Sequence, residues 1–188
     1  TIDTTPPTAG TLKIGNATGR GRVSHRENIS DKTFDLTISG QEAGTTVVYQ
    51  VSTDGGTSWT PTTASQSGLT DGTYKFRATV TDASGNSATT PVQTVTIDTT
   101  PPTAGTLSLS NFTDSGSSAT DNITNDNTFD LTISGQETGS TVVYQISTDG
   151  GVTWTTTTAN QSSLTDGTYN FRATVTDASG NSATTPVQ

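Results

Sequence analysis

Apolar and polar residues alternate along several short stretches of the chain. Over residues 33–39, Phe34, Leu36 and Ile38 fall on one face and Asp35 and Thr37 on the other. Val47, Tyr49 and Val51 alternate with Val48 and Gln50, and Tyr74, Phe76, Ala78 and Val80 with Lys75, Arg77 and Thr79. A period of two marks strands buried on one face. Asp-Gly, Gly-Gly and Gly-Asn turns separate these stretches, and no window carries the 3.6-residue period of an amphipathic helix. The pattern predicts strands near 8–14, 33–39, 46–52, 57–60, 73–81 and 88–97, with a short one near 64–69. Short strands closed by tight turns predict an all-β, immunoglobulin-like β-sandwich. Trp59 and Trp154 are the largest apolar groups and are expected to cover the core. Tyr74 follows Asp71-Gly72-Thr73 at the start of a long strand, the position of the tyrosine corner in such sandwiches.

The pattern occurs twice. The heptad Thr-Ile-Asp-Thr-Thr-Pro-Pro at residues 1–7 recurs at 96–102, and residues 33–93 align with 128–188 without a gap, with 52 of 61 positions identical. The repeat divides the chain into domains at 1–95 and 96–188. The second copy stops at Gln188, before the Thr-Val-Thr-Ile-Asp that closes the first, as expected of a piece of a longer array. Each Asp-Thr-Thr is followed by two prolines, which fix φ and remove two amide donors. A short, stiff linker and an elongated, rod-like tandem are the expectation.

Composition adds a constraint. Leu, Ile, Val and Phe number 32 of 188 residues, few enough to suggest disorder were the alternation not so regular. The core is therefore small and in need of outside help. Cysteine is absent, which removes disulfides and thiolate metal sites, and no apolar run approaches the length of a membrane span. The net charge of −9 disfavours nucleic acid and favours cations. Positive charge is concentrated in the first copy, where Arg20, Arg22, His25 and Arg26 stand opposite Asp114, Asp121 and Asp126 of the second. This basic segment either faces the junction with the acidic second domain or is a solvated loop.

Catalytic constellations are absent from the sequence. His25 is the single histidine and has no cysteine or second histidine to join, so a nucleophile–histidine–acid triad is not expected, and the acids sit in turns, not in a predicted cleft. No enzyme is expected. Residues 147–154, Ser-Thr-Asp-Gly-Gly-Val-Thr-Trp, match the Asp-box pattern Ser-x-Asp-x-Gly-x-Thr-Trp, mostly kept at 52–59. The motif resembles the turn found in sialidase propellers, where it shapes a hairpin and carries no catalysis. A propeller needs more blades than this chain holds.

A second set of residues points to a cation. In a sandwich whose chain enters at the top, the loops carrying Glu42, Asp82 and Asn86 and the leading linker with Asp3 all lie at that pole. The second copy repeats them as Asp98, Glu137, Asp177 and Asn181. Three carboxylates and an amide make a hard oxygen donor set suited to Ca²⁺. Asp54 and Asp71 lie at the opposite pole. In a tandem that pole faces the next domain, so Asp71 is a further candidate ligand for the site built on Asp98. The alternative is that all of these are ordinary turn acids.

The linker Asp-Thr-Thr-Pro-Pro, the loop Gly-Gln-Glu-x-Gly-x-Thr-Val at 40–47 and 135–142, and the turn Thr-Asp-Ala-Ser-Gly-Asn at 81–86 and 176–181 resemble the bacterial Ig-like repeats of giant adhesins. Those adhesins are secreted by the type I route in Gram-negative bacteria, often with calcium-binding RTX segments. The resemblance covers both copies. It implies calcium at domain junctions, a rigidified extracellular stalk on the bacterial surface, neighbouring identical repeats as partners, and adhesive domains elsewhere. It also implies a calcium site in the loop after the first strand where acids are kept, at Asp114 and Asp121. The first copy departs from it through Arg20, Arg22 and Arg26. The leading expectation is an extender repeat that projects a distal binding domain. The rival is a carbohydrate- or ice-binding module using Thr-rich strands such as Thr155-Thr156-Thr157-Thr158.

Overall fold

The computed structural model describes residues 2–15, 27–30 and 32–188. Arg20, Arg22, His25 and Arg26, on which the expectation of a basic contact rests, lie outside the described residues. The chain forms two compact units, Thr1–Thr100 and Pro101–Gln188. Among the described residues all regular structure is strand, so no helix there is long and apolar enough to cross a membrane.

In the first unit the strands are β1 (Thr11–Gly15), β2 (Glu27–Ile29), β3 (Phe34–Ser39), β4 (Thr46–Ser52), β5 (Thr60–Thr62), β6 (Ser65–Gln66), β7 (Gly72–Thr81), β8 (Ser87–Thr89) and β9 (Gln93–Ile97). One sheet has the order β1-β3-β6; the other runs β2-β9-β7-β4-β5, with β8 also on β7. Their inner faces meet as a sandwich. Leu12, Phe34 and Leu36 from the first sheet pack against Phe76, Ala78, Val95 and Ile97 from the second. Phe34 meets Phe76 edge to face, ring centres 5.6 Å apart, a geometry that adds about 0.5–1.5 kcal/mol beyond area burial.

The second unit repeats this plan with β10 (Thr106–Ser110), β11 (Phe129–Ser134), β12 (Thr141–Ser147), β13 (Thr155–Thr157), β14 (Asn160–Gln161), β15 (Asn170–Thr176) and β16 (Ser182–Thr184). Its sheets are β10-β11-β14 and β13-β12-β15-β16. Phe129 and Phe171 make the same edge-to-face contact at 5.6 Å.

Several expectations change in detail. The strand expected over 88–97 is two strands, because Pro91 cannot donate to a ladder. Thr90 bridges the break: its hydroxyl accepts from the Ala78 amide at 3.0 Å and its own amide donates to the Ala78 carbonyl at 2.9 Å. The strand expected near 64–69 shrinks to Ser65–Gln66, and the one near 57–60 is Thr60–Thr62. β2 was not foreseen. It pairs in parallel with β9 and places Ile29 in the core. The tryptophans are not core residues. Trp59 lies half-buried under the Arg77 guanidinium, 4.2 Å from the ring centre, and Trp154 under Arg172 at the same distance. Arg77 alternates with core-facing Phe76 and Ala78 on β7, so this cation–π pair decorates the outer face. The tyrosine corners form as expected: the Tyr74 hydroxyl donates to the Thr70 carbonyl at 2.9 Å and Tyr169 to Thr165 at 2.8 Å.

Gly10 ties the leading segment to the loop after β3. Its φ is +75°, and a Cβ there would stand 2.6 Å from both the Gln41 amide nitrogen and the Ser39 carbonyl oxygen. Gly40 has the same φ but nothing within 4 Å. Gly40→Ala should therefore cost only the left-handed backbone, roughly 1–2 kcal/mol, and Gly10→Ala should cost clearly more. Denaturant melts of the two variants measure the difference; equal costs would mean that the close approach carries no weight.

Candidate functional site

The pole of the first unit is assembled from the leading segment and two loops. The turn between β7 and β8 closes on Asp82. Asp82 Oδ1 accepts from the amides of Ser84 at 2.8 Å and Asn86 at 2.9 Å, and Oδ2 accepts from Asn86 Nδ2 at 2.9 Å. The Asn86 side chain holds the Asp82 carboxyl below its ordinary pKa, helped by the backbone donors of the turn. Asn86 Nδ2 also donates to the Asp3 carbonyl at 3.1 Å, and the Ser84 hydroxyl reaches Asp3 Oδ2 at 3.4 Å. Asp3 Oδ1 caps the Thr5 amide at 3.0 Å. Glu42 is fastened to the same segment farther on: its amide donates to the Thr8 carbonyl at 3.0 Å, and Oε2 accepts from the Thr8 amide at 3.3 Å.

Asp3, Asp82 and Asn86 are thus one hydrogen-bonded group, and Glu42 joins it through the leading segment at Thr8. Among the described residues no three acids or histidines are gathered closely enough to hold a metal ion. Asn86 Nδ2 bridges the main-chain carbonyl of Asp3 and the carboxylate of Asp82. Ser84 and Thr8, which complete the group, were missed in the sequence because neither residue type signals a ligand. In the second unit Asp177 closes the same turn, accepting from the Ser179 and Asn181 amides at 2.8 and 2.9 Å and from Asn181 Nδ2 at 2.9 Å, and the Glu137 amide donates to the Thr103 carbonyl at 3.0 Å. Asp98 belongs to the first unit. Its amide donates to the Ile29 carbonyl at 3.0 Å and its Oδ1 accepts from the Thr100 amide at 3.0 Å.

Asp71 sits at the other pole, against the segment leaving the first unit. Its carboxylate accepts from the Thr99 amide at 3.1 Å, the Thr99 hydroxyl at 2.8 Å and the Thr100 hydroxyl at 3.0 Å, with Lys32 Nζ at 3.8 Å. The Thr99 donors hold its pKa below the ordinary value. The neighbouring Thr70 carbonyl is fixed by the tyrosine corner, so β7, Asp71 and the departing chain are linked in sequence. The signal for this contact is present in the repeated Thr-Thr after Asp98; only its partner was not legible.

The loop 111–127 of the second unit is folded on its own polar side chains. Asp126 Oδ2 accepts from the Thr113 amide at 2.9 Å, Asp121 Oδ1 from the Ile123 amide at 3.1 Å, and Asp114 Oδ2 from the Asn122 amide at 3.0 Å. Asp114 Oδ1 is shut off from solvent with no donor. An orphaned carboxylate oxygen is costly unless something positive meets it. A buried, unpartnered carboxylate oxygen fits a hard cation such as Ca²⁺.

The Asp-box turns are structural. Asp54 accepts from the Ser52 hydroxyl at 2.7 Å, the Thr57 amide at 3.0 Å, and the Ser58 amide and hydroxyl at 2.9 and 2.5 Å, while Trp59 Nε1 donates to the Gly56 carbonyl at 3.1 Å. Asp149 repeats the arrangement with Ser147, Val152 and Thr153. Three hydroxyls of the exposed Thr-rich segment bond within their own domain: Thr155 donates to the Ile146 carbonyl at 3.4 Å, Thr157 to Gln161 Oε1 at 3.4 Å and Thr158 to the Asn160 carbonyl at 2.7 Å.

Hydrogen bonds from Ser58 and Thr153 hold the Asp54 and Asp149 carboxyls far below their ordinary pKa. A depressed folded-state pKa stabilises the fold above the unfolded value of roughly 3.9, and that stability is lost as pH falls further toward the folded pKa. Melts at about pH 6 and about pH 2.5 should therefore show a smaller acid loss in the Asp54→Asn, Asp149→Asn double variant than in the parent. Equal losses would place the acid sensitivity elsewhere.

The chain matches the family described as Bacterial Ig-like domain over residues 11–99 and again over 101–188. No curated protein matches it. Among solved structures it is similar to the chicken CNTN1 FN1-FN3 domains, with 9% identity, a TM-score of 0.44, and coverage of 97% of this chain and 66% of that one. The fibronectin(III)-like modules of Clostridium thermocellum CbhA share 14% identity at a TM-score of 0.42, over 95% of this chain and 90% of that one. A Ca²⁺-stabilized adhesin that helps an Antarctic bacterium reach out and bind ice shares 21% identity at a TM-score of 0.40, over 95% of this chain and 48% of that one. The double match, one to each sandwich, makes this chain a member of the bacterial Ig-like domain family in two tandem copies.

Proposed function

We propose that the two domains are extender repeats of a bacterial surface adhesin, projecting a binding domain away from the cell in a stiff, rod-like array. Domains with immunoglobulin- and fibronectin-like sandwiches are typically structural modules without enzymatic activity. The observation that carries the reading is the fastening of the exit segment. Asp71 takes three hydrogen bonds from Thr99 and Thr100, Asp98 caps the Thr100 amide, and two prolines follow. A chain meant to swing would leave these residues solvated. An extender placed outside the cell also accounts for the absence of cysteine and the acidic surface.

Calcium completes the proposal. Asp114 and Asp121 would hold it in the loop after β10, where Asp114 Oδ1 lacks a donor. Asp3, Glu42, Asp82 and Asn86, with Asp98, Glu137, Asp177 and Asn181, would hold it at the heads of the domains. A bound cation neutralises carboxylates that otherwise repel one another and stabilises the small cores by mass action, roughly 2.7 kcal/mol at a hundredfold excess over Kd.

Thermal melting after EDTA treatment, followed by Ca²⁺ addition, tests the ion. The melting temperature should fall and be restored, and Asp114→Asn should remove part of the response. Identical melts with and without Ca²⁺ would end the calcium reading. Small-angle scattering tests the extender: the particle should be longer and stiffer with Ca²⁺, and Asp98→Ala with Asp177→Ala should abolish that change. Variants that scatter like the parent in Ca²⁺ would remove these residues from the junction.

A further inference from the structure

Residues 101–188 hold eight acids and one cation, Arg172. In such a field an arginine is drawn to a carboxylate, yet Arg172 forms no ion pair with a described residue. Its Nε donates to Gln145 Oε1 at 2.8 Å, and its guanidinium carbon lies 4.2 Å from the centre of the Trp154 ring. The first unit is built the same way. Arg77 Nε donates to Gln50 Oε1 at 2.8 Å, and its guanidinium stands over Trp59 at 4.2 Å. The hydroxyls of Thr79 and Thr174 donate to the same glutamine oxygens, both at 3.2 Å. Each glutamine oxygen thus has two donors already. Lys75, on the same face of β7 as Arg77, donates to the Gly55 carbonyl at 2.7 Å and is replaced by Asn170 in the second copy. The arginine is the cation that both copies keep on this face.

What remains at each place is a set of donors. Nη1 and Nη2 of the arginine and Nε2 of the glutamine meet no acceptor among the described residues. These nitrogens are open to solvent: among the described residues that are not exposed, Asp114 Oδ1 is the one buried side-chain polar atom without a partner. With Nε fixed by glutamine and the indole beneath, the guanidinium fork is held in place before anything binds. An apolar spot adjoins it. Gln50 pairs with Arg77 and Val48 with Thr79, and the alternation of β4 puts Val48 on the same face as Gln50. Val48 is 46% exposed and its counterpart Val143 43%.

The geometry points to an anion site on the outer face of each sandwich, Arg77 with Gln50 and Val48 in the first and Arg172 with Gln145 and Val143 in the second, that binds a uronate sugar of an acidic polysaccharide. A surface that offers donors and no free acceptor fits an oxyanion, and the planar fork of Nη1 and Nη2 fits the planar carboxylate in particular. The glutamine Nε2 donates to a ring oxygen or hydroxyl of the same sugar, and the exposed valine takes its C–H face. The charge of the ligand has to be sparse. Eight acids around one arginine repel a dense polyanion such as nucleic acid and admit a chain whose carboxylates are isolated. The site uses no calcium ligand and does not rest on the extender reading.

The probe is a trisaccharide ending in one glucuronate, added to the full chain in EDTA at low salt. The chain has two tryptophans, one in each site, so their emission reports the sites and nothing else. A saturable change in that emission is expected, with matching heat in titration calorimetry. The calorimetric affinity should fall at least roughly tenfold when Arg77→Gln and Arg172→Gln are combined, since each site loses its charge-assisted bonds. Arg77→Lys with Arg172→Lys keeps the charge and loses the fork, and should also weaken binding. Melting curves check the fold, and the lysine pair decides the matter if the glutamine pair does not fold. The neutral trisaccharide, inorganic phosphate and an acidic tripeptide should each bind more weakly than the uronate. The proposal is overturned if the uronate shows no saturable binding, or if a folded arginine variant binds it as the parent does. It is equally overturned if the neutral sugar, phosphate or the peptide binds as well as the uronate.

Discussion

Each repeat has little apolar surface to bury, and the rest of its structure follows from that scarcity. The first core consists of single layers of Leu, Ile, Val and Phe from two sheets, closed by one edge-to-face pair of phenylalanines. A core of this size cannot hold long loops by packing. The loops are held by short polar side chains instead: Asp82 closes one turn, Asp54 another, and the tyrosine corner a third. Such bonds contribute about 1 kcal/mol each, but they are numerous and local, and they leave few buried backbone groups unpaired.

The same device reaches beyond the domain body. Asp3 and Asp98 each cap an amide two residues on, giving both linkers the same turn. Asp71 then grips the departing threonines. Asp71, a candidate ligand of the junction from the sequence, has its oxygens on the linker threonines. The first unit joins Asp3 and Asp82 at its head through Asn86, while the loop after β10 in the second unit leaves Asp114 Oδ1 without a donor.

Much of this was legible in the sequence. Period-two alternation placed β3, β4 and β7, because those strands bury one face and solvate the other. The tyrosine corner and the Asp-box turns were legible because their bonds span only a few residues. Long-range pairings were not. β2 is three residues long and pairs in parallel with a strand more than sixty residues away, so nothing local announces it. Trp59 was misplaced because size alone suggested the core, while its position beside Arg77 on the outer face is decided by the register of β7. At the candidate site, the convergence of Asp3 with Asp82 and Asn86 was readable from topology, but the hydrogen bonds that occupy them depend on side-chain directions that no pattern records.

The central claim is that the exit segment is bound to the domain it leaves. Amide hydrogen exchange at Thr99 and Thr100, measured in EDTA at neutral pH, tests it most directly. The account predicts protection at both amides approaching that of β9, and its loss at Thr99 when Asp71 is replaced by Ala. Exchange at the free-peptide rate in the parent chain would contradict the account.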